Sequence, residues 1–367
     1  MKAKFKIATG VLALALAPHV VAAETKLSYS SWFPGNSTLH TKSLTPFFDR
    51  VTADTDGEIT FQVFTDGTVS GGRNTLQTIR DGVADMGLLA TSYHPGELRT
   101  SAWLSEGSIL VRDALVGAGA YNEMIFQNCP ACLDEMEEQG IMPIAYHATP
   151  PYKLMCNKPV ESADDMAGLR VRSLGSWASW VNAAGGTAVN MTVPEAYEGL
   201  ERGQLDCVAG NTAWLIQMSL YDVVSDVSDM NIGTFAGGIP INMNMRSWRD
   251  LTADQQTAFF KEGALAAVDV ALEFAAEDDE ALAGAGTHDL AVIEPAGDLT
   301  AAFDAFAETE SQRMLDLAYQ RGIENAEELL TTYKALLLKW EGIVDELGGD
   351  RDAMAARIYS DAMPKLD

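Results

Sequence analysis

Positive charge is scarce in this chain: 25 lysines and arginines stand against 52 aspartates and glutamates, a formal charge of −27 at pH 7. Such a surface repels nucleic acid and anionic lipid, so neither is an expected partner. It also means that a small anion can bind only where the fold gathers local positive charge. Histidine is scarcer still. The five, at positions 19, 40, 94, 147 and 288, show no metal-ligand spacing. Gly71-Gly72-Arg73 and Gly117-Ala118-Gly119-Ala120 lack the rest of a dinucleotide or phosphate-loop pattern, and no Gly-x-Ser-x-Gly elbow occurs. No cofactor or metal is expected, and nothing in the sequence argues for an enzyme. Internal repeats and low-complexity tracts are absent too. Beyond residue 23 no stretch approaches the ~20 apolar residues of a spanning helix, so direct membrane insertion is not expected.

What is present begins with Lys2, Lys4 and Lys6, an apolar run from Ile7 to Ala17, and Val21-Ala22-Ala23. That pattern reads as a cleaved secretory signal over residues 1–23 and places the mature protein in the periplasm. Its removal takes away three lysines and no acid, moving the balance from −27 to −30. The four cysteines, 129, 132, 156 and 207, then face an oxidising compartment, which favours disulfides. Cys129-Pro130-Ala131-Cys132 has the outline of a thiol–disulfide oxidoreductase site. The acids at 134, 135, 137 and 138 speak against it, because they raise a thiol pKa that such chemistry needs lowered. Cys156 and Cys207 are either partners or two buried thiols.

Length and an apolar content of 47% provide for two cores. Strand and helix patterns alternate: a strand over 26–33, a helix over 39–53, strands over 59–64 and 84–90 with a helix over 73–80 between them. After a strand at 152–157, Ser162 to Asp165 has capping-box spacing. A strand over 169–173 follows, with Val171 on one face and Arg170 and Arg172 on the other. Ser176 is a candidate cap for the next helix. Thr192-Val193-Pro194-Glu195 opens another helix, a strand over 205–209 leads to Gly210-Asn211, and a strand is expected over 239–245. A helix of ~30 residues starting near Ala253 would be ~45 Å long, enough to run along two lobes.

Arg172 and Asn211 both fall at strand carboxyl ends just before helices, where open α/β sheets place anionic ligands. Aromatic residues occupy equivalent places. Trp32 and Phe33 end the first strand, Tyr93 follows the strand ending at Ala90, Trp177 follows Arg172, and Trp214 follows Asn211. They are candidate walls of one crevice. Trp103, Trp180, Trp248 and Trp340 are expected in cores.

Several stretches together resemble a known family, the extracytoplasmic solute-binding subunits of tripartite ATP-independent periplasmic (TRAP) transporters. They are the run from Leu76 to Met86, Lys158-Pro159-Val160 with Asp164 to Arg172, the run from Pro194 to Asp206, and Arg246 to Gln256. The resemblance implies an α/β, two-lobed, periplasmic-binding-protein-like fold with a ligand cleft between lobes and a long helix spanning both. The expected lobes are 24–148 with 237–274, and 149–236 with 275–367. It implies that Arg172 pairs with a ligand carboxylate, that Asn211 adds a polar contact, and that small and large TRAP membrane subunits are the partners. Many members carry a second basic residue where this chain has Tyr152, with Lys153 one residue on, so either side chain is a candidate for the ligand.

One arginine with aromatic walls suits a small organic carboxylate whose tail is either an onium group or an aromatic or apolar body. A C4-dicarboxylate ranks behind these, for want of a second cation.

Overall fold

The computed structural model describes residues 24–366; the expected signal segment, 1–23, lies outside them. Two six-stranded sheets organise the chain. The first contains β1 (Thr25–Ser30), β2 (Ile59–Phe64), β3 (Met86–Gly87), β4 (Leu89–Ala90), β5 (Ile141–Pro151) and, from much later in sequence, a long strand over residues 234–244. The second contains β6 (Lys153–Cys156), β7 (Arg170–Arg172), β8 (Thr187–Val189), β9 (Cys207–Gly210), β10 (Asp226–Ser228) and β12 (Ala291–Ile293); the long strand of the first sheet, Thr234–Asn244, is β11. In the first sheet β1 pairs in parallel with β2 and β3, while β11 runs antiparallel to β3, β4 and β5. In the second, β7 pairs in parallel with β8 and β9, and β6 runs antiparallel to β9 and β10.

The chain crosses between the sheets at Tyr152, the single residue between β5 and β6, and returns between β10 and β11. The two crossings are tied together: Tyr152 N donates to Gly233 O at 2.8 Å and Ile232 N to Tyr152 O at 3.0 Å. A third connection is the helix Ala253–Gly284. Thr252 and Gln255 form its capping box, fixing the start that the sequence indicated. Near its amino end it packs on β5 and on the helix Thr45–Asp54, where Phe47, Phe48, Phe61 and Phe259 interlock. Near its other end the Tyr221 hydroxyl reaches Ala281 O at 2.6 Å, so one helix touches elements of both lobes.

Several expected bounds shift. The strand expected over 239–245 begins instead at Thr234 and includes Gly237 and Gly238, because main-chain pairing with β5 continues through the glycines, with irregular register. Residues 84–90 form two two-residue strands rather than one. The lobe boundaries drawn from sequence stand as a proposal, with one change that the packing asks for. The helices Ala326–Leu347 and Arg351–Asp361, expected with the second lobe, lie against the first. Trp340 is fully buried with its Nε1 donating to Glu123 Oε2 at 2.7 Å, and Arg351 Nε pairs with Asp269 Oδ1 of the long helix at 2.6 Å. Trp103, Trp180 and Trp248 are buried as well.

Candidate functional site

Strand β7 is only Arg170-Val171-Arg172, and alternation sends fully buried Val171 to one face and both arginines to the other. The two cations then part. Arg170 grips Asp206 with Nε and Nη2 at 2.9 Å each, and this bidentate pair holds the Asp206 carboxyl below the usual range. Arg172 is only 3% exposed. Its Nε donates to Met191 O at 2.9 Å and its Nη1 to Ala209 O at 3.4 Å, while Cζ lies 5.4 Å from the centre of the Trp214 ring. Among the described residues no carboxylate pairs with it, and its Nη2 has no hydrogen-bond partner. Neutral carbonyls orient this guanidinium without neutralising it, an arrangement that leaves a buried charge wanting an anion.

Arg172 opens into a cavity of about 770 Å³, part of it continuous with solvent, between the sheets. Trp32, Phe33 and Tyr93 wall it from the first lobe; Tyr152, Trp177 and Trp214 wall it from the crossing and the second. Tyr152 stacks on Trp177 at 4.3 Å and 17°, with Trp214 edge-on to Tyr152 at 5.4 Å. Trp32 contacts Phe33 at 5.2 Å and Tyr93 at 5.8 Å. The indoles are fixed from behind: Trp32 Nε1 donates to Leu88 O at 2.9 Å and Trp177 Nε1 to Ile232 O at 2.7 Å. Gly210 makes room for Trp214, since a Cβ there would lie 2.2 Å from the indole Cζ3. Burial pushes the Tyr152 phenol up while nearby Arg172 opposes the shift, so Tyr152 stays a neutral hydroxyl.

Asn211 does not line the cavity. It sits fully buried in the turn between β9 and the short helix Trp214–Gln217, and neither amide atom has a partner in the protein. Beneath that turn, Asp278 of the long helix accepts from Ala213 N. Burial raises the Asp278 carboxyl to about 7. The choice between Tyr152 and Lys153 is resolved by packing: Tyr152 faces the cavity, whereas the Lys153 ammonium is bound to Asp229. Ser176 is not the cap expected of it; its hydroxyl is engaged by Glu106 O and by Glu310.

The walls also contain residues that the sequence reading did not single out: Phe235, Phe274, Leu174, Glu106, Thr149 and His147. His147 and Thr149 share one face of β5, so strand alternation held a usable signal. Phe274 is hidden in the apolar periodicity of the long helix. Beside the cavity the lobes touch directly: Arg73 Nη2 donates to Asn190 Oδ1 at 2.7 Å, and Val193 N donates to the Tyr93 hydroxyl at 3.2 Å. The cysteines form two disulfides, Cys129–Cys132 and Cys156–Cys207, all four residues buried and none lining the cavity.

Residues 30–316 match the family described as bacterial extracellular solute-binding protein, family 7. Among solved structures, a marine metagenome TRAP solute-binding protein specific for aromatic acid ligands, in complex with metahydroxyphenylacetate, superposes with a TM-score of 0.77 at 20% identity. The match covers 87% of this chain and 100% of that one. A TRAP solute-binding protein from Rhodoferax ferrireducens with copurified benzoate gives 0.76 at 19% identity, over 87% and 99% of the two chains. One from Bordetella bronchiseptica with bound (R)- and (S)-mandelate gives 0.74 at 21%, over 86% and 99%. At these identities the likeness establishes the two-lobed fold.

Proposed function

The chain belongs to family 7 of the bacterial extracellular solute-binding proteins, and from that premise we propose that its cleft captures a monocarboxylate carrying an aromatic ring. Arg172 would take the carboxylate, Tyr152 would add a polar contact, and Trp32, Phe33, Tyr93, Trp177 and Trp214 would hold the ring. The lobes would close on it in the periplasm, and the closed form would deliver it to small and large TRAP membrane subunits. Among the described residues no helix is long and apolar enough to cross a membrane, in keeping with a separate permease.

The observation that carries this reading is the buried Arg172 guanidinium, without an acid partner, at the head of an aromatic-walled cavity. A bidentate grip on one carboxylate supplies orientation, and stacking supplies the remaining affinity. Two facts favour an aromatic tail over an onium tail. The Trp214 face already has Arg172 over it, and Arg73 lies 5.6 Å from the Tyr93 ring centre, so a cationic tail would meet cations. A dicarboxylate fits less well. Arg172 and His147 are the basic residues of the wall, and burial pushes His147 down to about 4, which leaves it neutral. The aromatic acids bound by the solved relatives agree with this choice. The buried Cys129–Cys132 pair offers no accessible thiolate for the oxidoreductase reading.

The test is a thermal-shift and calorimetric panel of benzoate, phenylacetate and mandelate against succinate and glycine betaine. The aromatic acids should raise the melting temperature, and Arg172→Ala should remove the shift. Stronger stabilisation by succinate or betaine would refute the assignment.

A further inference from the structure

Besides Arg172, one buried polar ring of the cavity wall lacks a hydrogen-bond partner. Trp32 Nε1, Trp177 Nε1, Ser105 Oγ and Ser108 Oγ each donate to a main-chain carbonyl, at 2.9, 2.7, 2.8 and 2.6 Å. His147 is 7% exposed and lines the same cavity; its Nδ1 is buried against the Gly238 backbone without a partner of hydrogen-bond geometry, and its Nε2, which is not fully buried, has no partner among the described residues either. Its ring has a prepared seat. On β11 its register partner is Gly238, and a Cβ there would lie 2.1 Å from His147 Cε1. The imidazole thus rests against bare backbone, with Phe235 packed at 6.2 Å on another side. A fold that clears main chain for a polar ring and then leaves that ring unpaired is poised for an outside partner.

Burial holds the imidazole down to about 4, against a smaller opposing effect of the Gly238 backbone. At neutral pH the ring therefore carries one N–H and one lone pair and no charge. A second carboxylate would gain little from it. A hydroxyl, which both donates and accepts, would satisfy either tautomer. His147 belongs to the first sheet and Arg172 to the second, so a ligand held by both needs its carboxylate and its hydroxyl on different sides of an apolar body.

We propose that His147 is a specificity residue that reads a ring hydroxyl, making the preferred cargo a hydroxylated aromatic monocarboxylate rather than the bare acid. This rests on the aromatic-carboxylate reading of the cleft. A bare ring would bury the imidazole unpaired, and discrimination of that kind exceeds what an added apolar contact achieves.

The experiment is calorimetric titration of the full-length mature protein and of its His147→Leu and His147→Gln variants. The probes are benzoate, phenylacetate and their 3- and 4-hydroxy derivatives. In the unsubstituted protein at least one hydroxy isomer should bind roughly 10- to 100-fold tighter than its parent acid. In His147→Leu that ratio should fall to about twofold, and the parent acid, which no longer strands an imidazole, should bind at least as tightly as in the unsubstituted protein, which also certifies the fold. His147→Gln, which keeps a donor and an acceptor, should retain part of the preference. Equal binding of parent and all hydroxy isomers overturns the proposal, as does a preference that survives in His147→Leu. If the parent acids bind and Arg172→Ala abolishes them, such a result overturns His147's role alone; if no aromatic acid binds, the reading of the cleft falls and this proposal with it.

Discussion

Replacing Arg172 by methionine should move two quantities in different directions. The guanidinium is 3% exposed and is held by two main-chain carbonyls, at 2.9 and 3.4 Å, and by the Trp214 face. Removing it loses about 1–3 kcal/mol of hydrogen bonding, most of it from the shorter contact. It also relieves the desolvation of an unpaired ion, several kcal/mol for a fully buried charge. Methionine fills much of the space and suits an aromatic surround. Without ligand, Arg172→Met should therefore be as stable as the parent protein within about 1 kcal/mol, or more stable. Ligand binding should suffer instead. Truncating one member of a buried hydrogen-bonded charge pair costs about 2–5 kcal/mol, which is roughly 30- to 4,000-fold in Kd. Arg172→Lys keeps the charge but not the planar fork, so its loss should fall between the two. Chemical denaturation gives the first quantity and calorimetry with benzoate or phenylacetate the second. An unliganded protein destabilised by more than about 2 kcal/mol, or binding retained within tenfold, would refute the account of Arg172 as a charge held for the ligand.

Three further outcomes can be checked independently. Asp278 has its carboxyl raised from 3.8 to about 7 by burial, so its contribution to stability is full below about pH 4 and is lost as pH rises through 7. Asp278→Asn should therefore gain on the parent protein by roughly 2–4 kcal/mol between pH 4 and 8 in paired denaturation curves, and a flat difference curve would contradict this. Gly210→Ala would drive a methyl into the Trp214 indole, where 2.2 Å is available; a loss of about 1–3 kcal/mol with weakened ligand binding is expected, and an unchanged melting curve and Kd would show that the indole is not held there. Tyr93→Phe removes the acceptor of the inter-lobe bond from Val193 N; stopped-flow release of ligand should quicken about fivefold with little change in association, an effect of roughly 1 kcal/mol.

Much of the architecture was legible because its signals are local. The capping boxes at Ser162 and Thr192 form as expected, since each needs only a three-residue spacing. The strand end at Arg172 could be placed because alternation and turn residues mark it; β1 stops at Ser30, short of the expected Phe33, so Trp32 and Phe33 lie in the loop after it and still reach the cavity. The failures share one cause. Whether residue 152 or 153 faces the cavity depends on how the chain turns between sheets, and Asp229, 76 residues from Lys153, decides it. Ser176 reads as a helix cap until Glu106 and Glu310, far away in sequence, claim its hydroxyl. The seat of His147 requires knowing that Gly238 is its strand partner, and the terminal helices follow Trp340 and Arg351 to the first lobe. Non-local pairing leaves no periodicity to read.

The unpaired polar groups of the cleft give a ligand the means to favour closure. Two of the direct bonds between the lobes lie beside the cavity, Arg73 to Asn190 and Val193 to Tyr93, and should contribute about 0.5–1.5 kcal/mol each; others, such as Ser176 to Glu106 O and Trp103 Nε1 to Met314 O, lie farther from it. Within the cavity the Arg172 Nη2 and the His147 ring lack partners, and each neutral polar group left buried costs about 1–3 kcal/mol, an ion more. An anion with a polar-substituted ring shifts the balance toward closure, because it pairs groups that the closed lobes would otherwise strand, and only a ligand with such differential affinity can shift the equilibrium. The same accounting explains why a protein with so few cations leaves one of them without a partner of its own: an Arg172 neutralised by an internal carboxylate would close the cleft on nothing.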